Sequence, residues 1–177
     1  MKNRIFFTLA SVLGLCVLNI HVLQAEPERT GTNVNSKSIP SQILMLQKPD
    51  EVETIRQLLM DGRKTAALTA AENYLEKVNR TTLRHEKLPR YYAWNAYCTV
   101  LTSLNKVEEA IAACSTAMAI DSDKWSAVNN RGTAKFVGGM LQDALADYRA
   151  AMTMVDEDNR KARETIEHNI ALAQQSQ

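Results

Sequence analysis

Apolar residues recur at intervals of three and four positions along most of the chain after Val52, and this spacing predicts amphipathic helices. Turn-forming residues interrupt the pattern at Gly62, at Asn105 and at Gly138-Gly139. Only six Gly and four Pro occur in the 177 residues, which also favours helix. The pattern therefore predicts an all-α fold built from helical hairpins.

Two segments of this region, 91–124 and 125–158, align with each other at an offset of 34 residues. Each segment has a helical pattern, a turn and a second helical pattern, so the period predicts one helical hairpin per repeat. The aligned pairs are Trp94 and Val128, Cys98 and Gly132, Asn105 and Gly139, Val107 and Leu141, Ala110 and Ala144, Cys114 and Tyr148, and Ala117 and Ala151.

The two repeats are flanked by less regular helical sequence. A degenerate copy is predicted at 51–78, where Gly62 matches the turn. From Gly62 to Asn105 there are 43 positions, nine more than the period, and the extra residues are assigned to an inserted loop at 79–90. Downstream, 159–175 shows one amphipathic helix with a charged outer face. Because a solenoid must close the last exposed edge of its core, we expect a capping helix there.

The 34-residue unit resembles the tetratricopeptide repeat family. The resemblance is carried by Trp94, Ala110, Cys114 and Ala117 in one unit and by Gly132, Gly139, Ala144, Tyr148 and Ala151 in the next. Where the family has a terminal Pro, this chain has Ser122 and Asp156. The resemblance implies that 51–177 forms antiparallel helical hairpins, stacked as a short right-handed solenoid.

In that family the first helix of each hairpin lines a concave groove that binds a peptide or a partner helix. The resemblance places the following residues on the groove: Tyr92, Asn95, Thr99, Asn129, Asn130, Thr133, Phe136, Arg160 and Arg163. Asn95 and Thr99 recur 34 residues later as Asn129 and Thr133, and an amide side chain can both donate to and accept from a peptide backbone. The alternative is that these residues form ordinary helix surface.

The N-terminus has the layout of a secretory signal peptide. Lys2 and Arg4 precede an apolar run at 5–23, and Ala25 is followed by polar residues, which predicts a signal peptide at 1–25. The alternative is an uncleaved anchor, because the run is long enough to span a bilayer. We therefore expect an exported protein, in the periplasm, with secretion or membrane anchoring as alternatives.

Residues 26–50 are rich in Thr, Asn, Ser and Pro, and we interpret them as a flexible tether. One apolar cluster, residues 43–46 with the sequence Ile-Leu-Met-Leu, interrupts this composition. Two interpretations stay open for it: packing onto the first helix, or docking of a partner.

The formal net charge is +1, from 21 basic and 20 acidic residues, so charge gives no reason to expect nucleic acid as a partner. Cys98 and Cys114 lie at equal distances on either side of a turn near Lys106, so they face each other on neighbouring helices. In an oxidising compartment they are candidates for a disulfide, and the alternative is two buried thiols.

The sequence offers no catalytic or metal-binding constellation. His85 and His168 are far apart in sequence, with no ligand at metal-binding spacing, and we expect no metal and no cofactor. The expected function is that of an exported, non-catalytic scaffold or adaptor for a protein partner. The alternative is a protein that handles a small molecule or glycan in a pocket roofed by the loop at 79–90. An apolar edge at Phe136 and Val137 leaves self-association as a homodimer open.

Overall fold

The computed structural model describes residues 49–176, and every regular element in that range is helical, which confirms the all-α prediction. The predicted signal peptide and nearly all of the predicted tether lie outside the described residues. A short 3-10 helix covers Thr82–His85. The α-helices are α1 (Asp50–Met60), α2 (Lys64–Arg80), α3 (Lys87–Ser103), α4 (Val107–Ile120), α5 (Trp125–Val137), α6 (Leu141–Thr153) and α7 (Arg160–Gln175).

The helices pack in chain order, as expected for stacked hairpins. Each helix contacts the next along the chain. The first helices of successive hairpins also contact one another, α1 with α3 and α3 with α5, and α5 contacts the last helix, α7. Within the part of the chain that the structure describes, no helix is both long and apolar enough to cross a membrane.

The turns inside the three hairpins each contain one residue with a positive φ at the equivalent position. Gly62, Asn105 and Gly139 have φ of 72°, 60° and 76°, in the left-handed region that closes many helix C-termini. Gly tolerates this region because it has no Cβ, and Asn tolerates it better than most other residues. The equivalent turns thus explain why the three hairpins share a geometry although their sequences differ.

Small residues occupy the positions where the two helices of a hairpin cross. Ala67, Ala110 and Ala144 are equivalent in the three hairpins, and all three are completely buried. In the third hairpin Gly132 lies against the ring of Tyr148, where an added Cβ would come within 2.8 Å of the ring. The absence of a side chain at Gly132 therefore lets a large aromatic residue fill the space between α5 and α6.

The structure differs from the expected loop at 79–90. Asn79 and Arg80 complete α2, and α3 already begins at Lys87, so the connection is short and largely helical. Most of the extra residues therefore extend α2 and α3, which have 17 residues each, against 14 in α4 and 13 in α5. This outcome agrees with the composition of the segment, which lacks Gly and has its single Pro in the first turn of α3, where Pro is tolerated.

Helix α7 lies at the end of the array, in the position predicted for a capping helix. Its buried residues Ala162, Ile166 and Ala173 pack on the apolar cluster around Tyr148. Asn159 caps the N-terminus of α7, where its side-chain oxygen accepts a hydrogen bond from the backbone N–H of Ala162 at 3.3 Å.

Candidate partner-binding surface

The amide side chains singled out in the sequence form a hydrogen-bonded ladder across three helices. Asn130 on α5 donates to Asn95 Oδ1 on α3 at 3.0 Å and to Thr99 Oγ1 at 3.4 Å. Asn129 donates to Asn130 Oδ1 at 3.4 Å, and Asn169 on α7 donates to Asn129 Oδ1 at 2.9 Å. The amide ladder therefore connects the first helices of the second and third hairpins with the last helix.

The amide ladder lies in the interior, unlike the exposed face that the sequence suggested. Asn95, Thr99, Asn129, Asn130 and Thr133 are each at most 1% exposed. The reason is that neighbouring first helices approach closely enough for short side chains to bond each other, which satisfies polar groups that burial would otherwise leave unpaired. In the structure these residues join helices, and their binding of a partner stays a prediction.

Sequence reasoning missed Asn169, because it falls outside the 34-residue correspondence that linked the other amides. Asn169 is 2% exposed, and its Oδ1 accepts no hydrogen bond from the residues that the structure describes. An Asn on the otherwise apolar face of the predicted capping helix was the available signal, since a buried amide requires polar neighbours.

Two aromatic residues of the predicted groove pack against neighbouring side chains. Tyr92 is partly buried and its ring meets Tyr91 edge to face, with the ring centroids 5.5 Å apart. Phe136 is 7% exposed and belongs to the apolar cluster between α5, α6 and α7. Both therefore contribute packing, and Tyr92 retains more accessible surface than Phe136.

Tyr91 connects the second hairpin to the start of α5. Its hydroxyl lies 2.6 Å from Ser126 Oγ and accepts a hydrogen bond from the backbone N–H of Ala127 at 3.2 Å. Burial raises the pKa of Tyr91 to about 12, so the phenol stays protonated at neutral pH. Burial also raises the pKa of Tyr148, whose hydroxyl donates to Thr133 Oγ1 at 3.2 Å.

An open cleft of about 590 Å³ lies along the N-terminal half of α7 and the loop before it. Arg160 and Arg163, both predicted as groove residues, line it, and Arg160 lies 3.7 Å from Glu164. The complete lining consists of Glu157, Asp158, Arg160, Arg163, Glu164 and Glu167. Four carboxylates against two guanidinium groups give the cleft a net negative formal charge.

The apolar residues that follow this cleft lie on the same side of α7. Ile170 and Ala171 come three and four positions after Glu167, which places them beside it on the helix surface. Both are partly buried, as is Val137 at the end of α5. The face of α7 thus combines a charged half with an apolar half.

The disulfide that the sequence left open is present. Cys98 on α3 and Cys114 on α4 are bonded, with their Cα atoms 5.2 Å apart, and both residues are completely buried. The bridge therefore joins the two helices of the second hairpin at the position where they cross.

A charged cluster joins α5 to α6 in the third hairpin. Asp147 is 5% exposed and accepts from Arg131 Nε at 2.8 Å and from Arg131 Nη2 at 2.7 Å. Lys135 Nζ lies 2.7 Å from the same carboxylate. The hydrogen bond from Arg131 to Asp147 raises the pKa of the guanidinium, so the pair favours the charged form of Arg131.

The residues around the 3-10 helix do not line the cleft, which is formed entirely by α7 and the loop before it. His85 is exposed, and its Nε2 accepts a hydrogen bond from Arg84 Nε at 2.8 Å. The pocket that the alternative function requires, roofed by residues 79–90, therefore receives no support from the described cleft. Within residues 49–176, no group of three or more His, Cys, Asp or Glu side chains could hold a metal ion.

Comparison with known proteins finds no matching family model. The chain is similar to DnaJ homolog subfamily C member 3, a protein that contains tetratricopeptide repeats. The identity is 26% with the Bos taurus protein, 28% with that of Mus musculus and 26% with that of Homo sapiens, each over 129 residues. These matches cover 71% of this chain and 24% of the relatives, so the chain spans about a quarter of their length.

Proposed function

We propose that this chain is an exported, non-catalytic scaffold that binds a segment of a partner protein at the α7 end of the array. The observation that carries the proposal is the open cleft of about 590 Å³, lined by the two accessible cations that the sequence had assigned to a binding groove, Arg160 and Arg163. The distant likeness to a protein with tetratricopeptide repeats supports an interaction role.

The lining of the cleft indicates the chemistry of the partner. Four carboxylates and two guanidinium groups favour a polar segment with at least one basic side chain, because complementary charge steers association and selects the partner. The apolar half of the α7 face, at Ile170 and Ala171, offers contact for one or two apolar side chains of the same segment.

The chemistry of the chain also supports export. The N-terminal pattern is that of a signal peptide, and the bond between Cys98 and Cys114 is of a kind that persists in oxidising compartments. We propose the periplasm as the site of function, with contact to a membrane only if the N-terminal segment is retained.

A photo-crosslinking experiment in the native cells tests the binding site. A photoreactive residue at Glu167, inside the cleft, should capture one partner, whereas the same residue at the exposed Ala146 on α6 should capture none. Capture of the same protein from both positions would contradict the proposed site. Capture of a second copy of this chain from Glu167 would show that the cleft serves self-association and not the binding of another protein.

Charge reversal then tests the chemistry of the cleft. We expect the double substitution Glu164→Lys and Glu167→Lys to weaken binding of the captured partner about tenfold, through the loss of paired charges. The control variant Glu108→Lys and Asp143→Lys makes the same change in net charge on exposed parts of α4 and α6. Equal weakening in both variants would show that net charge, and not the cleft, determines binding.

A further inference from the structure

The N-terminal end of the array has an apolar surface that its own described helices leave partly uncovered. Leu59 and Tyr92 both pack on the apolar cluster that contains Val52 and Ile55, and each keeps part of its surface accessible. Met60, next to Leu59 at the end of α1, is 51% exposed. We call Leu59 and Met60, at the C-terminal end of α1, and Tyr92, near the start of α3, the α1–α3 strip; because α1 and α3 run in the same direction, this strip extends along the length of α1. An exposed methionine next to partly buried apolar residues marks a surface that gains stability from further burial.

The chain that leads into this surface carries a matching segment. Among residues 26–48, the only run of consecutive apolar residues is 43–46, and two residues separate it from Pro49, which precedes α1. We propose that residues 43–46 of the same chain bind the α1–α3 strip. The tether would then contribute apolar contacts to the first hairpin.

Chain length supports this assignment and excludes the apolar half of the α7 face. Residues 43–46 lie three to six positions before Pro49, so they reach at most about 11 to 22 Å from it. Helix α1 is about 16 Å long, and an adjacent packed helix lies 8–10 Å away, so the α1–α3 strip is within reach. Helix α7 lies beyond α3 and α5, at about three helix spacings, outside this range.

Covalent connection makes this contact favourable even when each apolar side chain contributes little. A short linker holds the segment at an effective concentration in the millimolar range, so a contact with an intrinsic dissociation constant below that range is mostly formed. The contact leaves the α7 cleft free. The inference therefore does not depend on the proposed function, and each can fail without the other.

Hydrogen exchange on the processed chain, purified after expression of all 177 residues, tests the contact. We expect the double substitution Ile43→Ser and Leu46→Ser to speed amide exchange in α1 about tenfold, because the first hairpin loses buried apolar area. Exchange in α6 should not change. Val34→Ser is the control, since it removes an apolar residue of the same stretch that lies outside the cluster.

A double-mutant cycle ties the effect to the α1–α3 strip. If the contact exists, Met60→Ser and Ile43→Ser should together raise exchange in α1 by less than the product of their separate effects, because Ile43 is the residue of the segment that can reach the far end of α1. The proposal would be overturned if the effects of the two substitutions simply multiplied. It would also be overturned if Ile43→Ser with Leu46→Ser left exchange in α1 unchanged, or if Val34→Ser accelerated that exchange equally. Protection that rises with protein concentration would also overturn it, because it would place the segment on a second copy.

Discussion

The second and third hairpins fill the space between their two helices with different side chains. At the crossing of their helices, the second hairpin has Cys98 bonded to Cys114, and the third has Gly132 under the ring of Tyr148, 34 residues further on. All four residues are buried. The repeat position thus fixes burial and backbone geometry, while the side chains that fill the space vary.

At a second set of equivalent positions the two hairpins also carry different side chains. Where the second hairpin has Tyr97, Leu101 and Ala113, the third has Arg131, Lys135 and Asp147. The first three belong to an apolar cluster, and the second three form the charged cluster between α5 and α6. Hairpins of one architecture should therefore respond to different perturbations: reduction for the second, and loss of charge for the third.

Removal of the disulfide should have the largest effect on stability. The bridge closes a loop of 16 positions, so we expect Cys98→Ala with Cys114→Ala to lower the free energy of unfolding by about 3 kcal/mol. Urea unfolding with and without reductant measures this. Reductant should lower the midpoint of the parent chain and leave the variant unchanged; a parent midpoint insensitive to complete reduction would contradict the prediction.

Disruption of the charged cluster should have the next largest effect. Asp147→Asn leaves Arg131 and Lys135 facing each other without a carboxylate, and we expect a loss of about 2 kcal/mol, less than for a fully buried pair because both cations are partly exposed. Asp143→Asn, on the exposed side of α6, is the control and should change stability by less than about 0.5 kcal/mol.

The comparison becomes sharper if the third hairpin receives the residues of the second. The triple variant Arg131→Tyr, Lys135→Leu and Asp147→Ala should be no less stable than the parent chain, because apolar replacement of a whole buried ion cluster is often neutral or stabilising. Unfolding by urea again measures the change. A triple variant as unstable as Asp147→Asn would show that the two sets of positions are not equivalent.

Alkaline pH should destabilise the array by less than removal of the disulfide or of the Asp147 carboxylate, and the loss of stability should grow as the pH rises. Burial raises the pKa of Tyr91 to about 12, so the stability that this phenol contributes is complete below pH 10 and is lost as the pH rises towards 12. For Tyr91 alone we expect a loss of about 1.4 kcal/mol at pH 11. Urea midpoints between pH 9 and pH 11 measure the loss, and Tyr91→Phe should reduce the slope.

The sequence predicted the hairpins and identified the cysteine pair as a disulfide candidate because both depend on local spacing. The turn residues mark the centre of each hairpin, and Cys98 and Cys114 lie symmetrically about one of them. The same separation of 16 positions links Arg131 to Asp147, so this pair could also have been predicted from the sequence. It was not singled out, because charged residues on helices usually face solvent.

Burial of the amide ladder could not be derived in the same way. Whether Asn130 faces solvent or Asn95 depends on how closely α3 and α5 approach, which is a property of the stacked hairpins and not of either sequence segment. Asn169 was harder still, because α7 does not continue the repeat in register. The α7 cleft contains predicted residues, but its four carboxylates line one surface only when α7 and the loop before it have formed.

The bridge between Cys98 and Cys114 also determines how the molecule would respond to a pulling force. It lies within a single hairpin, so it leaves the contacts between hairpins free to separate one after another. The residues between the two cysteines, however, cannot be drawn out. A chain stretched from its ends would fall short of its full contour length by about 50 Å, and the addition of reductant during the pull would release that length in one step.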